Sequence, residues 1–557
     1  MTNDRARIGL LTSNISAGYF RSVWEGAVRG ALEADADLVA FVGSAFDAPA
    51  GYDAEYCAVF DVAGPECIDA AVIMADALGR YTGNRPVREL HERVGVPAVA
   101  VGATLPGVPS FAADNAQGMI ELVSHLVEEH HRRRIAFIRG PNTSAEAESR
   151  YRAYRRAIEG YGLDFDESLV VRGRFDAASG TLAVRKLLDQ RDVRFDALVA
   201  ANDPMALGAM TVLEMRGLSV PDDVAVAGFD DIRDSLEASP PLTTVRPPSF
   251  EIGRRSVSAA AAATRGEALP PTTVLGTGLA LRGSCGCAMW PEDTLQDADG
   301  LRAGRDHMVF EISRPTLEQI SEEAAMRIVD AFVSEMNGGQ RGSFADVLKG
   351  LIRNRSVAGA RAVALRDGLD LLRRETLSAT RAEALPLARD IWRSARPHDV
   401  AIRQRAKSHE NAELWRLNRL REVGWELGSN YSVVGVARAA ARMLPEIGIS
   451  RFFLCMLETE GAKPAARLLL GCDANGRVEV DDRERVFPLR QMLPASARAS
   501  DDRATFVVHP LFVKRRQMGY AVFEAGPLDG DVYEALGRHL SVALRGAQLV
   551  DEADASG

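Results

Sequence analysis

The chain has 557 residues, a net charge of -10, 46% hydrophobic residues and 26% charged residues. This is a globular balance with room for roughly three to four domains, and it gives no electrostatic reason to expect nucleic acid as the main partner. No stretch reaches the ~18 uncharged apolar residues of a membrane span, and the first apolar run is too short for a signal-peptide core, so a cytoplasmic protein without membrane contact is expected.

Residues 7–12 form a short apolar run ending at Ser13-Asn14 and read as a buried strand. From Gly18 to Ala34 the residues Phe20, Val23, Trp24, Ala27, Val28 and Ala31 recur at helical spacing. The alternation then repeats, with strands expected at 38–42, 70–74, 97–101, 134–138, 196–200 and 224–228. Amphipathic helices are expected near 115–131, 144–160, 176–188 and 203–215. Short apolar strands alternating with helices predict parallel sheets covered on both faces, and the length favours two α/β lobes.

Ligands of open α/β sheets bind beyond the carboxyl ends of the strands. Those ends carry Asn14, then Tyr19 and Phe20; Asn202-Asp203-Pro204; and Gly228-Phe229-Asp230-Asp231. Amides and carboxylates there suit a hydroxyl- or amide-rich ligand. Each has a structural alternative. Asp203 before Pro204 reads as a helix cap, which leaves Asn202 to face a ligand, and Asp230 and Asp231 could be turn residues after Gly228.

Four runs in order, HHRRRIAFIRGP (130–141), ANDPMALGAM (201–210), VPDDVAVAGFDD (220–231) and PPLTTVRPP (240–248), resemble the ligand-binding core of the lactose- and galactose-repressor family. That family is itself related to the periplasmic sugar-binding proteins. The resemblance covers residues 5–287 and implies a two-lobed sensor that closes on a small polar ligand, sugar-like or nucleoside-like. It places Asn202 and Asp230 at hydroxyl-binding positions, Arg150 at the ligand-binding arginine and Phe175 at a stacking aromatic. Phe175 could instead be a core residue and Arg150 a member of a surface ion pair. Glu146 stands where the family often has a small hydroxyl residue, so that part of the pocket should differ. The expected ligand set is Asn14, Phe20, Arg150, Phe175, Asn202 and Asp230. Crossings between lobes are expected near 132–135, 242–248 and 268–274. The first strand begins near residue 7, where the repressors have a helix-turn-helix headpiece, so direct DNA binding is not expected.

Six cysteines in so long a chain do not indicate a disulfide scaffold. Cys285 and Cys287 are separated by one residue, with no second cysteine or histidine pair at zinc-ligand spacing nearby. They read as structural thiols, and neither a metal nor a cofactor is expected.

Residues 291–304 read as a polar linker, and 288–398 as linker plus helical module, with helices near 316–336 (opening on Leu317), 343–353, 357–376 and 380–395. Residues 399–429 are expected to form a signalling or dimerising helix, with Leu417, Leu420, Gly424 and Leu427 at heptad steps. Residues 430–552 run helix, predominantly antiparallel sheet, helix. With PLFVKRRQMGYAVFE (510–524) they resemble a GAF domain, an α+β sensor and dimerisation module. His509 reads as a strand residue. No nucleotide-binding or phosphate-binding signature and no nucleophile–base–orienter set appears, so no catalytic residue is expected. The expectation is a non-catalytic homodimeric sensor that relays closure to a downstream signalling or regulatory protein. The alternative is a repressor-family transcriptional regulator acting through a partner or an unrecognised DNA-binding surface.

Overall fold

The computed structural model describes residues 5–16, 18–48, 54–287, 305–306, 308–313, 320–353, 360–379, 385–458, 464–473, 476–498, 503–513, 516–526 and 529–554. The linker expected at 291–304, and Leu317, lie outside them. No helix among the described residues is long and apolar enough to cross a membrane.

Lobe one is a parallel sheet built from β1 (Arg7–Thr12), β2 (Asp37–Val42), β3 (Ala70–Ile73), β4 (Ala98–Val101), β5 (Ser110–Ala113) and, arriving late in the chain, β11 (Thr272–Leu275). Helices α1 (Gly18–Glu33), α2 (Ala75–Gly79), α3 (Asn84–Val94) and α9 (Ser249–Thr264) cover it. Lobe two orders β12 (Gly278–Ala280), β10 (Thr243–Arg246), β9 (Ala225–Phe229), β8 (Ala197–Ala200), β6 (Ile135–Arg139) and β7 (Val170–Arg172). Only β12 runs antiparallel in it. Its helices include α4 (Asn115–Glu128), α5 (Ala145–Gly160), α6 (Ala177–Arg185), α7 (Asp203–Met215) and α8 (Arg233–Glu237).

The central strands are buried on both faces, which is why they read as uninterrupted apolar runs. The short strands β5, β7, β10, β11 and β12 carry no such run, and β11 is half exposed. The first crossing between lobes lies at Asp114, not at 132–135. Met119, Leu122 and Leu126 of α4 join the lobe-two core, so lobe two already begins at Asn115. Periodicity shows that a helix has an apolar face but not which sheet that face covers. The chain returns to lobe one after β10, at 247–248, and crosses again between β11 and β12.

The carboxyl-terminal sheet contains β13 (Phe452–Glu458), β14 (Ala465–Asp473), β15 (Gly476–Arg477), β16 (Val486–Pro488), β17 (Thr505–Val513) and β18 (Arg516–Glu524), with antiparallel pairing inside it. It is not a detached unit. Strand β17 pairs in parallel with β2, Thr505 opposite Leu38 through Val508 opposite Phe41, so lobe one and this domain share one twelve-stranded sheet. Ala504 seals the junction: its N–H donates to the Asp37 carboxylate at 2.9 Å and its carbonyl accepts from Leu38 at 3.1 Å. The pairing covers an edge strand that would otherwise present unpaired backbone.

The helices expected at 380–395 and 399–428 are one 44-residue helix, Leu385–Gly428, with Pro397 inside it. Leu420 and Leu427 pack with Leu536 and Leu540 of the final helix, Gly530–Asp554. A side chain at Gly424 would collide with His539. Leu420, Gly424 and Leu427 of the heptad face are therefore spent within the chain, whereas Leu417 stays exposed together with Leu414 and Trp425.

Candidate functional site

Arg150 projects from α5 into the cleft between the lobes and is buried. Helix α5 is started by the Ser144 hydroxyl, which accepts from the Ala147 N–H at 3.1 Å. Arg150 Nε donates to Asn115 Oδ1 at 2.7 Å, and Nη1 donates to the Ala201 carbonyl at 2.6 Å and to Asp230 Oδ1 at 3.4 Å. Its guanidinium lies 3.7 Å from the centre of the Phe229 ring. One side chain thus ties together the start of α4, the end of β8 and the end of β9, at the carboxyl edge where ligands of such sheets bind.

Lobe one answers with Asp76 on α2. Its carboxylate accepts from the Ser144 hydroxyl at 2.7 Å and from the Glu146 N–H at 3.2 Å, so it sits on the amino end of α5, where a negative charge is favoured. Thr143 also donates to the Arg80 carbonyl across the cleft. Asn115 Nδ2 donates to Glu146 at 3.3 Å. Gly102, at φ +82, leaves room for both lobes at this point: a Cβ there would meet Asp76 of lobe one at 2.9 Å and the Glu146 carboxyl carbon of lobe two at 3.4 Å.

Three carboxyl groups therefore crowd around Arg150, with Arg80 further off. Burial, reinforced by Asp76, pushes Glu146 up to about 7, and burial opposed by Arg150 leaves Asp230 at about 8. The Tyr19 phenol is held well above its ordinary value by burial and by the same two carboxylates. An excess of acceptors over fixed cations suits a ligand that brings hydroxyl or N–H donors.

The raised values have a consequence for stability. Folded Glu146 keeps its proton where the unfolded chain, with a value near 4, has lost it. Its contribution is therefore most favourable below about pH 4 and is lost as the pH rises through about 7. Glu146→Gln is expected to match the wild type near pH 4.5 and to be more stable at pH 8 by roughly 3 kcal/mol. Thermal melts of both proteins across that range check this, and equal slopes would remove Glu146 as the source.

The six residues expected to hold ligand do not all converge. Arg150 and Asp230 touch. Asn14 and Phe20 line a different cavity of about 300 Å³, between the ends of β1 and β2 and the carboxyl-terminal domain, which contributes His509 and Tyr533. Arg80 links the two places, lying 5.4 Å from the Phe20 ring centre and within electrostatic reach of Glu146. Asn202 is the cap of α7: Oδ1 accepts from the Met205 N–H at 3.2 Å and Nδ2 donates to the Phe175 carbonyl at 3.0 Å. Asp203, expected as that cap, is fully buried and accepts from Ser235, Thr244 and the Ile232 N–H. Phe175 adopts φ +68 and its ring lies over Gly140, where a Cβ would meet it at 2.5 Å. His509 is a buried strand residue whose Nδ1 is 2.9 Å from the Pro510 carbonyl.

Asp76, Ser144 and Asn115 were missed. Each acts as a cap or lies at a crossing, and single-residue patterns around them do not differ from ordinary helix starts.

Residues 123–285 match the family model for a periplasmic binding protein-like domain. The chain is 38% identical over 205 residues to the HTH-type transcriptional regulator CelR of Thermobifida fusca, 36% of this chain and 59% of that protein. It is 30% identical over 212 residues to the HTH-type transcriptional regulator DegA of Bacillus subtilis, 37% of this chain and 62% of that protein. The first domain is a lactose- and galactose-repressor-type sensor domain. The solved CelR–cellobiose complex resembles this repressor-type domain at 29% identity and a TM-score of 0.44, over 51% of this chain and 86% of that one. The chain spans about three-fifths of the length of CelR. The relatives are regulators of transcription rather than enzymes, and their names give the expectation against DNA binding no support.

Proposed function

We propose that this protein is a ligand-responsive transcriptional regulator of the repressor type, whose first domain binds a sugar-like or nucleoside-like metabolite between its lobes. The observation that carries this reading is the Arg150 constellation, built at the carboxyl ends of β8 and β9 and faced across the cleft by Asp76. A ligand that touches both lobes favours the closed state over the open one, and closure is the signal. Thermal-shift measurements with a panel of mono- and disaccharides and nucleosides test this. At least one compound is expected to stabilise the wild type, and to lose that effect in Asp230→Asn. A panel that leaves the wild type unmoved, or that stabilises both proteins equally, would overturn it.

A second reading concerns the output. The shared sheet and the cavity walled by Asn14, Phe20, His509 and Tyr533 put the carboxyl-terminal domain, read as GAF-like, against the lobe that closes. It favours a relay through this domain to a protein partner. A homodimer joined through the exposed Leu414, Leu417 and Trp425 would give that relay a symmetric platform.

A further inference from the structure

Cys285 and Cys287 gain what their spacing lacks from residues about 160 positions upstream. His125, near the end of α4, and His130, in the turn after it, point at the two thiols. The two Nε2 atoms are 3.2 Å apart. Cys287 Sγ lies 3.3 Å from His130 Nε2 and 3.3 Å from His125 Nε2, and Cys285 Sγ lies 3.6 Å from His125 Nε2. All four atoms fall within 4.8 Å of one another.

These spacings have a specific meaning. Zinc binds histidine nitrogen at about 2.0–2.1 Å and thiolate sulfur at about 2.3 Å. Tetrahedral angles turn those bonds into edges of about 3.3 Å between nitrogens, about 3.6 Å between nitrogen and sulfur and about 3.8 Å between sulfurs. The nitrogen–nitrogen spacing and three of the four nitrogen–sulfur spacings lie within 0.3 Å of these edges.

The surroundings fit as well. The Thr243 hydroxyl donates to Cys285 Sγ at 3.0 Å, the kind of outer hydrogen bond that orients a ligand. Gly286 adopts φ +107, and a Cβ there would press on the His130 ring at 3.2 Å, so the residue between the cysteines lets both thiols face one point. Cys285 is buried and the other three groups are half-buried, which leaves a route for an ion to enter.

We propose that His125, His130, Cys285 and Cys287 form a Cys2His2 site for one zinc-type divalent cation. The site closes all four positions with protein ligands, so its role is structural. It pins the last turn of the sensor domain to α4, the helix whose first residue, Asn115, holds Arg150 in the cleft. The cation thereby fixes the direction in which the chain leaves lobe two.

The test uses the full chain, purified under reducing conditions without chelator. Elemental analysis is expected to find about one zinc per chain. Replacement by Co2+ is expected to give tetrahedral d–d absorption together with thiolate-to-metal charge transfer. His130→Ala and Cys287→Ser should weaken binding about tenfold or more, while Cys57→Ser leaves the stoichiometry unchanged. The wild-type Co2+ spectrum does not depend on how the variants fold. The proposal is overturned if the reduced wild type takes up no stoichiometric zinc after reconstitution. An octahedral cobalt spectrum without charge transfer, or a Cys285–Cys287 disulfide that survives the reducing purification, would do the same.

Discussion

Arg150→Ala is expected to abolish the thermal shift produced by a stabilising metabolite and to lower the stability of the free sensor domain by about 3–5 kcal/mol. The size follows from what is left behind. The Asn115 and Ala201 carbonyl oxygens lose their charged donors, and Asp230 loses the Arg150 guanidinium 3.4 Å away while remaining beside Glu146. The ring of Phe229 also loses the guanidinium stacked on it. Arg150→Lys keeps the charge but cannot serve Asn115 and the Ala201 carbonyl in the same fork geometry, so it should recover part of the stability and little of the binding. Calorimetric melts separate these outcomes. A variant within about 1 kcal/mol of the wild type would mean that Arg150 is not the group holding the cleft together.

The parallel sheets were legible because their central strands are buried on both faces and leave apolar runs. Asp230 was legible as a candidate because its run, VPDDVAVAGFDD, puts it at the end of β9, and Arg150 because the resemblance has an arginine at that point of α5; the structure brings the two within reach of each other. Asn202 shows the limit. An amide one position before Asp-Pro reads equally as cap or ligand, and only the Met205 N–H and the Phe175 carbonyl decide its local bonds. The β2–β17 junction was not legible for another reason. Strand β17 looks the same whether its outer edge meets solvent or a strand some 470 residues earlier in the chain, because pairing there is made by backbone atoms. The histidine–cysteine cluster escaped for the same reason of distance, since ligand spacing is a local signal.

A four-charge network connects the pocket to the helical module, and cutting it should separate binding from signalling. Asp231 follows Asp230 directly, and both hold positive φ, +50 and +111, a strained backbone that the surrounding contacts must hold in place. The Asp231 carboxylate accepts from Arg282 Nη2 at 2.7 Å and from Arg246 Nε. Both arginines also reach Glu311, Arg282 at 3.1 Å and Arg246 at 3.1 Å, and Arg246 donates to the Phe310 carbonyl at 2.7 Å. Phe310 and Glu311 belong to the helical stretch 308–313, beyond the sensor domain. Two arginines and two carboxylates balance in charge, and their side chains are 0–9% exposed, so removing one carboxylate leaves an uncompensated buried cation. Glu311→Ala is therefore expected to cost about 3–5 kcal/mol, whereas Glu311→Gln, which keeps an acceptor, should cost less. The functional expectation is sharper than the energetic one. A metabolite that stabilises the wild type should still bind Glu311→Gln, but its effect on amide hydrogen exchange across 308–313 should disappear. Exchange in that segment that responds to ligand equally in both proteins would place the connection elsewhere, with the hydrogen-bonded β2–β17 junction as another route from lobe one to the carboxyl-terminal domain.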